Sequence, residues 1–96
     1  MILSIDTTNN KKTIVQLGKH KIEKKYLDPR EQELLTLINQ IMKKTNTSFN
    51  QIKEIKVNTG PGSFTGTRVG VAVANALAWS LGIKVNGRIS VMPKYE

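Results

Sequence analysis

Cysteine is absent from this 96-residue sequence. That excludes disulfides, thiolate metal sites and a cysteine nucleophile, and it fits a reducing compartment. Histidine occurs once, at His20, so no histidine pair is available for a metal, and the residue reads as a surface group on an exposed strand. Aromatic residues number only five and do not interleave with the lysines, which argues against recognition of single-stranded bases by stacking. Acids are few as well: seven against fifteen lysines and arginines, for a net charge of +8. A solvated surface and contact with a phosphate backbone both fit that excess. No apolar run is long enough for a membrane span: Val69 to Ile83 is charge-free for fifteen residues, against about twenty needed, and it contains Asn75 and Ser80. The start, "MILSIDTT", carries no basic leader, so no signal peptide is expected and a cytoplasmic location is. The length allows one small domain, which buries only about 60–65% of its unfolded surface and gains from a partner.

What is present orders itself into strands and two helices. Ile2 to Ile5 reads as a buried strand ending at Asp6, and Asp6-Thr7-Thr8-Asn9-Asn10 as a turn. Thr13 to Leu17 and His20 to Leu27 give two further strands about Gly18-Lys19. Asp28-Pro29 reads as a helix start, with Glu31 placed for a capping box. Leu34, Leu35, Ile38, Ile41 and Met42 form the apolar stripe of that helix, and Lys43-Lys44 suit its C-terminal dipole. A fourth strand is expected over 54–58, a second helix over 64–81 stopped by Gly82, and a fifth strand over 83–85. The order β-β-β-α-β-α-β predicts a single α/β lobe with a mixed five-stranded sheet. The tail "RISVMPKYE" has no assignment.

Between the fourth strand and the second helix lies "NTGPGSFTGTR", residues 58–68. Gly60 and Gly62 permit backbone conformations closed to other residues, and Ser63 or Thr65 can cap the helix. Two readings stand: a tight strand-to-helix turn, or an anion site of amides at a helix N-terminus. It is not a P-loop, because five residues separate Gly60 from Gly66 and Thr67-Arg68 follows. Asp6 with Thr7, at a strand end, offers either a metal-bound phosphate site or an Asx turn. No nucleophile, base and orienter set is present, so no catalytic residue and no metal ligand is assigned.

The second helix is apolar nearly all round, with Arg68 its only charge. Arg68, Val71, Ala72, Asn75 and Trp79 share a face at helical spacing. Gly66, Gly70, Ala74 and Ala78 keep the helix thin, so another backbone can approach. Either the first helix covers the Arg68–Trp79 face or another chain does.

"ILSIDTT" together with "GPGSFTGTRVGVAVANALAWSLGIKVNGRIS" resembles the TsaB family of bacterial tRNA threonylcarbamoyladenosine biosynthesis proteins, over 2 to about 90. The second stretch is the specific one; Ile-Asp-Thr is shared across actin-like ATPases. The resemblance implies an actin-like, ribonuclease-H-like lobe with helices on both sheet faces. It implies a non-catalytic subunit that holds a TsaD-like catalytic partner as a heterodimer and works with a TsaE-like ATPase. That complex transfers threonylcarbamoyl to an adenosine beside the anticodon of tRNAs. ATP and a metal then belong to the partner subunits, and none is assigned to this chain. The family's partner surface uses both helices in a four-helix bundle, which would place Leu34, Leu35, Ile38, Ile41, Met42, Arg68, Val71, Ala72, Asn75 and Trp79 at the interface. Without the partner, self-association through the same face is expected. Two departures stand out. Family members carry His-Ser-Glu before the first helix where this chain reads "KKYLDPREQELL", and they have a second lobe where this sequence corresponds to the first alone. Two other functions are compatible: a nucleotide-binding fragment of an actin-like ATPase or kinase, and an independent tRNA-binding module.

Overall fold

The computed structural model describes residues 1–27 and 33–94. Strand β1 (Ile2–Asp6) is central, paired antiparallel with β2 (Lys12–Leu17) and parallel with β4 (Glu54–Val57). The hairpin partner β3 (His20–Lys25) forms one edge and the two-residue β5 (Lys84–Val85) the other, giving the order β3-β2-β1-β4-β5. Helix α1 (Leu34–Lys44) packs on β2 and β3; helix α2 (Phe64–Leu81) packs on β4, β5 and β1. The expected element order is therefore present. The Asp28-Pro29 helix start and Glu31 lie outside the described residues.

The period-2 pattern assigns the faces. Leu3 and Ile5 lie beside Leu17 and Val15 on one side and Ile55 and Val57 on the other, and all six are buried. Both helices cover this face, within one continuous apolar cluster. The opposite face carries Ile2, Ser4, Asp6, Ile14, Gln16 and Lys56, none of them buried. Among the described residues it has no helix over it, so helices on both faces, as the resemblance implied, are not what this chain shows.

The sheet face of α1 is Leu34, Leu37, Ile38, Ile41 and Met42. Leu37 replaces Leu35 in the expected stripe. Adjacent helical residues point about 100° apart, so Leu34 and Leu35 cannot both face the sheet, whereas positions i, i+3, i+4, i+7 and i+8 can. Helix α2 turns Gly66, Thr67, Gly70, Val71, Ala74 and Ala78 inward. Its thin side thus lies against this chain's own β1: a Cβ at Gly66 would overlap the Thr7 carbonyl oxygen, and one at Gly70 the Thr7 Oγ1.

Two asparagine side chains pair with backbone groups outside the strand ladder, one at the sheet and one on α2. Asn86, at φ 52°, donates its side-chain amide to the Val57 carbonyl and accepts from the Val57 amide, both at 2.9 Å. Asn75 grips Val91 in the same way, accepting from its amide and donating to its carbonyl, both at 2.9 Å. The tail without an assignment is thereby laid along α2, and Lys94 N reaches the Thr59 carbonyl at 2.6 Å.

Candidate partner-binding face

The glycine loop and the end of β1 form one knot of internal hydrogen bonds. Asp6 Oδ1 accepts from Thr8 N at 3.0 Å and Thr8 Oγ1 at 2.7 Å, and Asp6 Oδ2 from Asn58 Nδ2 at 3.2 Å. This is the Asx turn. Thr7 Oγ1, buried, donates to the Gly66 carbonyl at 2.5 Å. The Thr8 carbonyl takes Ser63 N at 2.8 Å, and Gly62 is so close to Thr8 that a side chain there would overlap it. Ser63, not Thr65, is the cap: its hydroxyl accepts from Gly66 N at 3.2 Å, while Thr65 is exposed. Gly60, at φ 101°, gives its amide to Asn58 Oδ1 at 3.0 Å and packs beneath Lys94. The amides of Gly60, Ser63 and Gly66 are thus engaged within the chain. The ionised Asp6 at the edge of the knot repels an incoming anion. These bonds build the strand-to-helix turn.

Burial raises the Asp6 pKa, but the bonds from Thr8 and Asn58, with Lys12 nearby, outweigh it and hold the carboxyl below its ordinary 3.8. A group whose folded pKa is depressed stabilises the fold above its unfolded pKa and ceases to as pH falls through the folded value. Urea midpoints are therefore expected to drop between pH 5 and 3 more steeply in the wild type than in Asp6→Asn, where the titrating group is gone. Parallel pH profiles would contradict the assignment.

The other expected site residues separate by face. Leu34, Ile38, Ile41 and Met42 are core residues, each at most 5% exposed, and Val71 is 3% exposed. Leu34, Ile41, Met42 and Val71 are turned into the core, and Ile38 shows only a sliver of surface, toward the space between the helices. Asn75 is occupied by the tail. What remains outward is Leu35 at 63% exposure and Trp79 at 82%, with Ala72 and Arg68, whose guanidinium lies 5.1 Å from the Phe64 ring centroid. Helix α1 does not cover this side of α2. Instead the two helices flank a groove of about 350 Å³, walled by Leu35, Asn39 and Phe49 on one side and Val73, Ala76, Leu77 and Ser80 on the other, with Ile38 as floor. None of these residues is charged. Val73, Ala76, Leu77 and Phe49 were not expected at the site. The signal for the three on α2 was the charge-free run 69–83, too apolar for a helix with one buried side; Phe49, in the loop before β4, had none. Among the described residues, no group of three or more histidine, cysteine, aspartate or glutamate side chains could hold a metal. No helix among them is long and apolar enough to cross a membrane.

Residues 29–89 match the family model of TsaD, tRNA N6-adenosine threonylcarbamoyltransferase. The chain belongs to this family. Within it, the sequence is similar to TsaB. It is 37% identical over 93 residues to the tRNA threonylcarbamoyladenosine biosynthesis protein TsaB of Buchnera aphidicola subsp. Baizongia pistaciae, covering 94% of this chain and 41% of that protein. It is 31% identical over 94 residues to TsaB of Escherichia coli K12, covering 95% of this chain and again 41% of that protein. The TsaB-like chain therefore spans about two fifths of the length of the curated relatives it matches. Its fold superposes on YeaZ from Pseudomonas aeruginosa with a TM-score of 0.71 at 23% identity, over 88% of this chain and 42% of that one. The lobe shares the fold of the corresponding part of YeaZ.

Proposed function

We propose that this TsaB-like chain acts in threonylcarbamoyladenosine biosynthesis on tRNA as a non-catalytic subunit in the cytoplasm. It binds a TsaD-like catalytic subunit through the outer side of α2 and its groove with α1. The observation that carries this reading is the uncharged apolar groove, bordered by exposed Leu35 and Trp79, in a chain of this family. Exposed apolar patches of this kind mark interaction sites. Depletion of charge at the centre, with aromatic Phe49 in the wall, matches interface cores. Chemistry is assigned to the partner because the sequence has one histidine and no cysteine, and His20 lies exposed on β3. A TsaE-like ATPase and tRNA would join through the assembled complex.

The test is size-exclusion chromatography with light scattering, on the chain alone and mixed with the TsaD-like protein of the same organism. A stoichiometric heterodimer that forms at the expense of homodimer is the expected outcome, since one face would serve both. Two unshifted peaks at micromolar concentration would reject the partner role.

A further inference from the structure

The positive charge is not spread evenly over this fold. Residues 11–25, the β2–β3 hairpin with its flanking turn residue, contain six lysines and one glutamate, a net +5 of the chain's +8. Helix α2 has Arg68 alone, and the groove walls have no charge. Within the hairpin, Lys12 stands directly opposite Lys25, and Gln16 opposite Lys21. By strand alternation these three lysines share the sheet face that no helix covers. Lys11 adjoins Lys12 in the turn, exposed. Three acids share this face: Glu23, between Lys21 and Lys25 on its own strand, Asp6, which has Lys12 nearby, and Glu54 on β4, so the hairpin's four lysines outnumber its own acid while Asp6 and Glu54 lie toward the other edge. The exposed pair Lys24–Glu33 at 3.2 Å is on the other side. Like charges placed opposite each other across a ladder, as Lys12 and Lys25 are, destabilise it, and a phosphate between them would favour the pairing.

We propose that the β2–β3 hairpin is a binding surface for the phosphodiester backbone of a folded nucleic acid, with Lys11, Lys12, Lys21 and Lys25 as the contacting cations. The groups are lysines with no exposed aromatic beside them, since Tyr26, next to Lys25, is buried, which suits phosphates and not bases. The hairpin also lacks the exposed large apolar side chains that would anchor it in a lipid surface: Ile22 packs against the core and is half-buried. The surface lies on the far side of the sheet from the groove, so nucleic acid and a protein partner could be held together. The proposal concerns the chain alone and stands or falls separately from the partner reading.

The experiment is fluorescence anisotropy with labelled unmodified tRNA, titrated by the full chain over a range of salt concentrations. Each phosphate contact contributes about 0.7–0.9 to the slope of log affinity against log salt. Replacing the four lysines by glutamine is expected to cut the slope by about 3 and the affinity by more than about tenfold. The control, Lys43, Lys44, Lys53 and Lys94→Gln, has the same net charge and should lose less than about threefold, because its charges lie off the surface. The four-fold arginine variant keeps every charge and should bind as the wild type does, which guards against a misfolded glutamine variant. Equal losses in the two glutamine sets would overturn the proposal, as would an absence of tRNA binding by the wild type, or binding to phosphatidylserine vesicles but not to tRNA. Equal binding of a duplex DNA would support the phosphodiester assignment and exclude RNA preference.

Discussion

Ala76→Glu is expected to weaken binding of the TsaD-like subunit by about a hundredfold while leaving the chain folded. Ala76 is exposed in the free chain, and glutamate is nearly as good a helix former as alanine. In the complex the carboxylate would be enclosed in a groove with no cation in its walls. An unpaired charge held there costs about 3 kcal/mol, which is about a hundredfold in affinity. Val71→Glu is the contrasting case. That side chain points at the sheet with 3% exposure, and the same charge there is expected to unfold the lobe before binding can be measured. Circular dichroism melts and light scattering of both variants separate the two outcomes. Ala76→Glu binding at wild-type strength would move the interface off the groove.

Gly70→Ala should lower the melting temperature by about 4–20 °C. In an exposed helix the same change stabilises by about 0.5–1 kcal/mol, so the sign itself is diagnostic. Here the new methyl group would enter the space of Thr7 Oγ1 and Cγ2. Thr7 cannot retreat, because it is fully buried and its hydroxyl is bound to the Gly66 carbonyl. Overpacking of this kind costs about 1–3 kcal/mol, and a domain of this size loses about 4–8 °C for each. Adding Thr7→Ala makes room for the methyl group, so the double variant should recover part of the loss, a coupling that a double-mutant cycle reads directly. A rise in melting temperature for Gly70→Ala alone would mean that α2 stands further from β1 than described.

The elements were legible in the sequence because their signals are local. Strand alternation, Gly82 after α2 and the Ser63 cap each depend on a few neighbouring residues. The facing of α2 was harder to read. A helix with almost no charge gives no polar side to orient it, so Arg68, Asn75 and Trp79 together suggested one outward face with Val71 on it. The structure splits them: Asn75 and Val71 lie to one flank, and Ala76 takes the place beside Ala72 and Trp79. On α1, choosing Leu35 over Leu37 shifted one position by roughly half a turn and exchanged a core residue for a groove residue. The tail was opaque because its attachments are long-range, Asn75 to Val91 across 16 residues and Thr59 to Lys94 further still, and they have no periodicity. The role of Thr7 is likewise non-local: its partner Gly66 is 59 residues away.

The two helices lie on the sheet through side chains of very different size. Helix α1 rests on leucine, isoleucine and methionine, and α2 on glycine, threonine, alanine and valine. Axis separation follows the side chains at a contact. The helical layer is therefore a staircase of two treads, with α2 low and α1 high. A flat surface would meet a staircase badly. A second staircase of the same shape, turned by half a revolution, places its high tread over the low one and closes the gap. A second copy of the staircase would meet the first that way without any change in either.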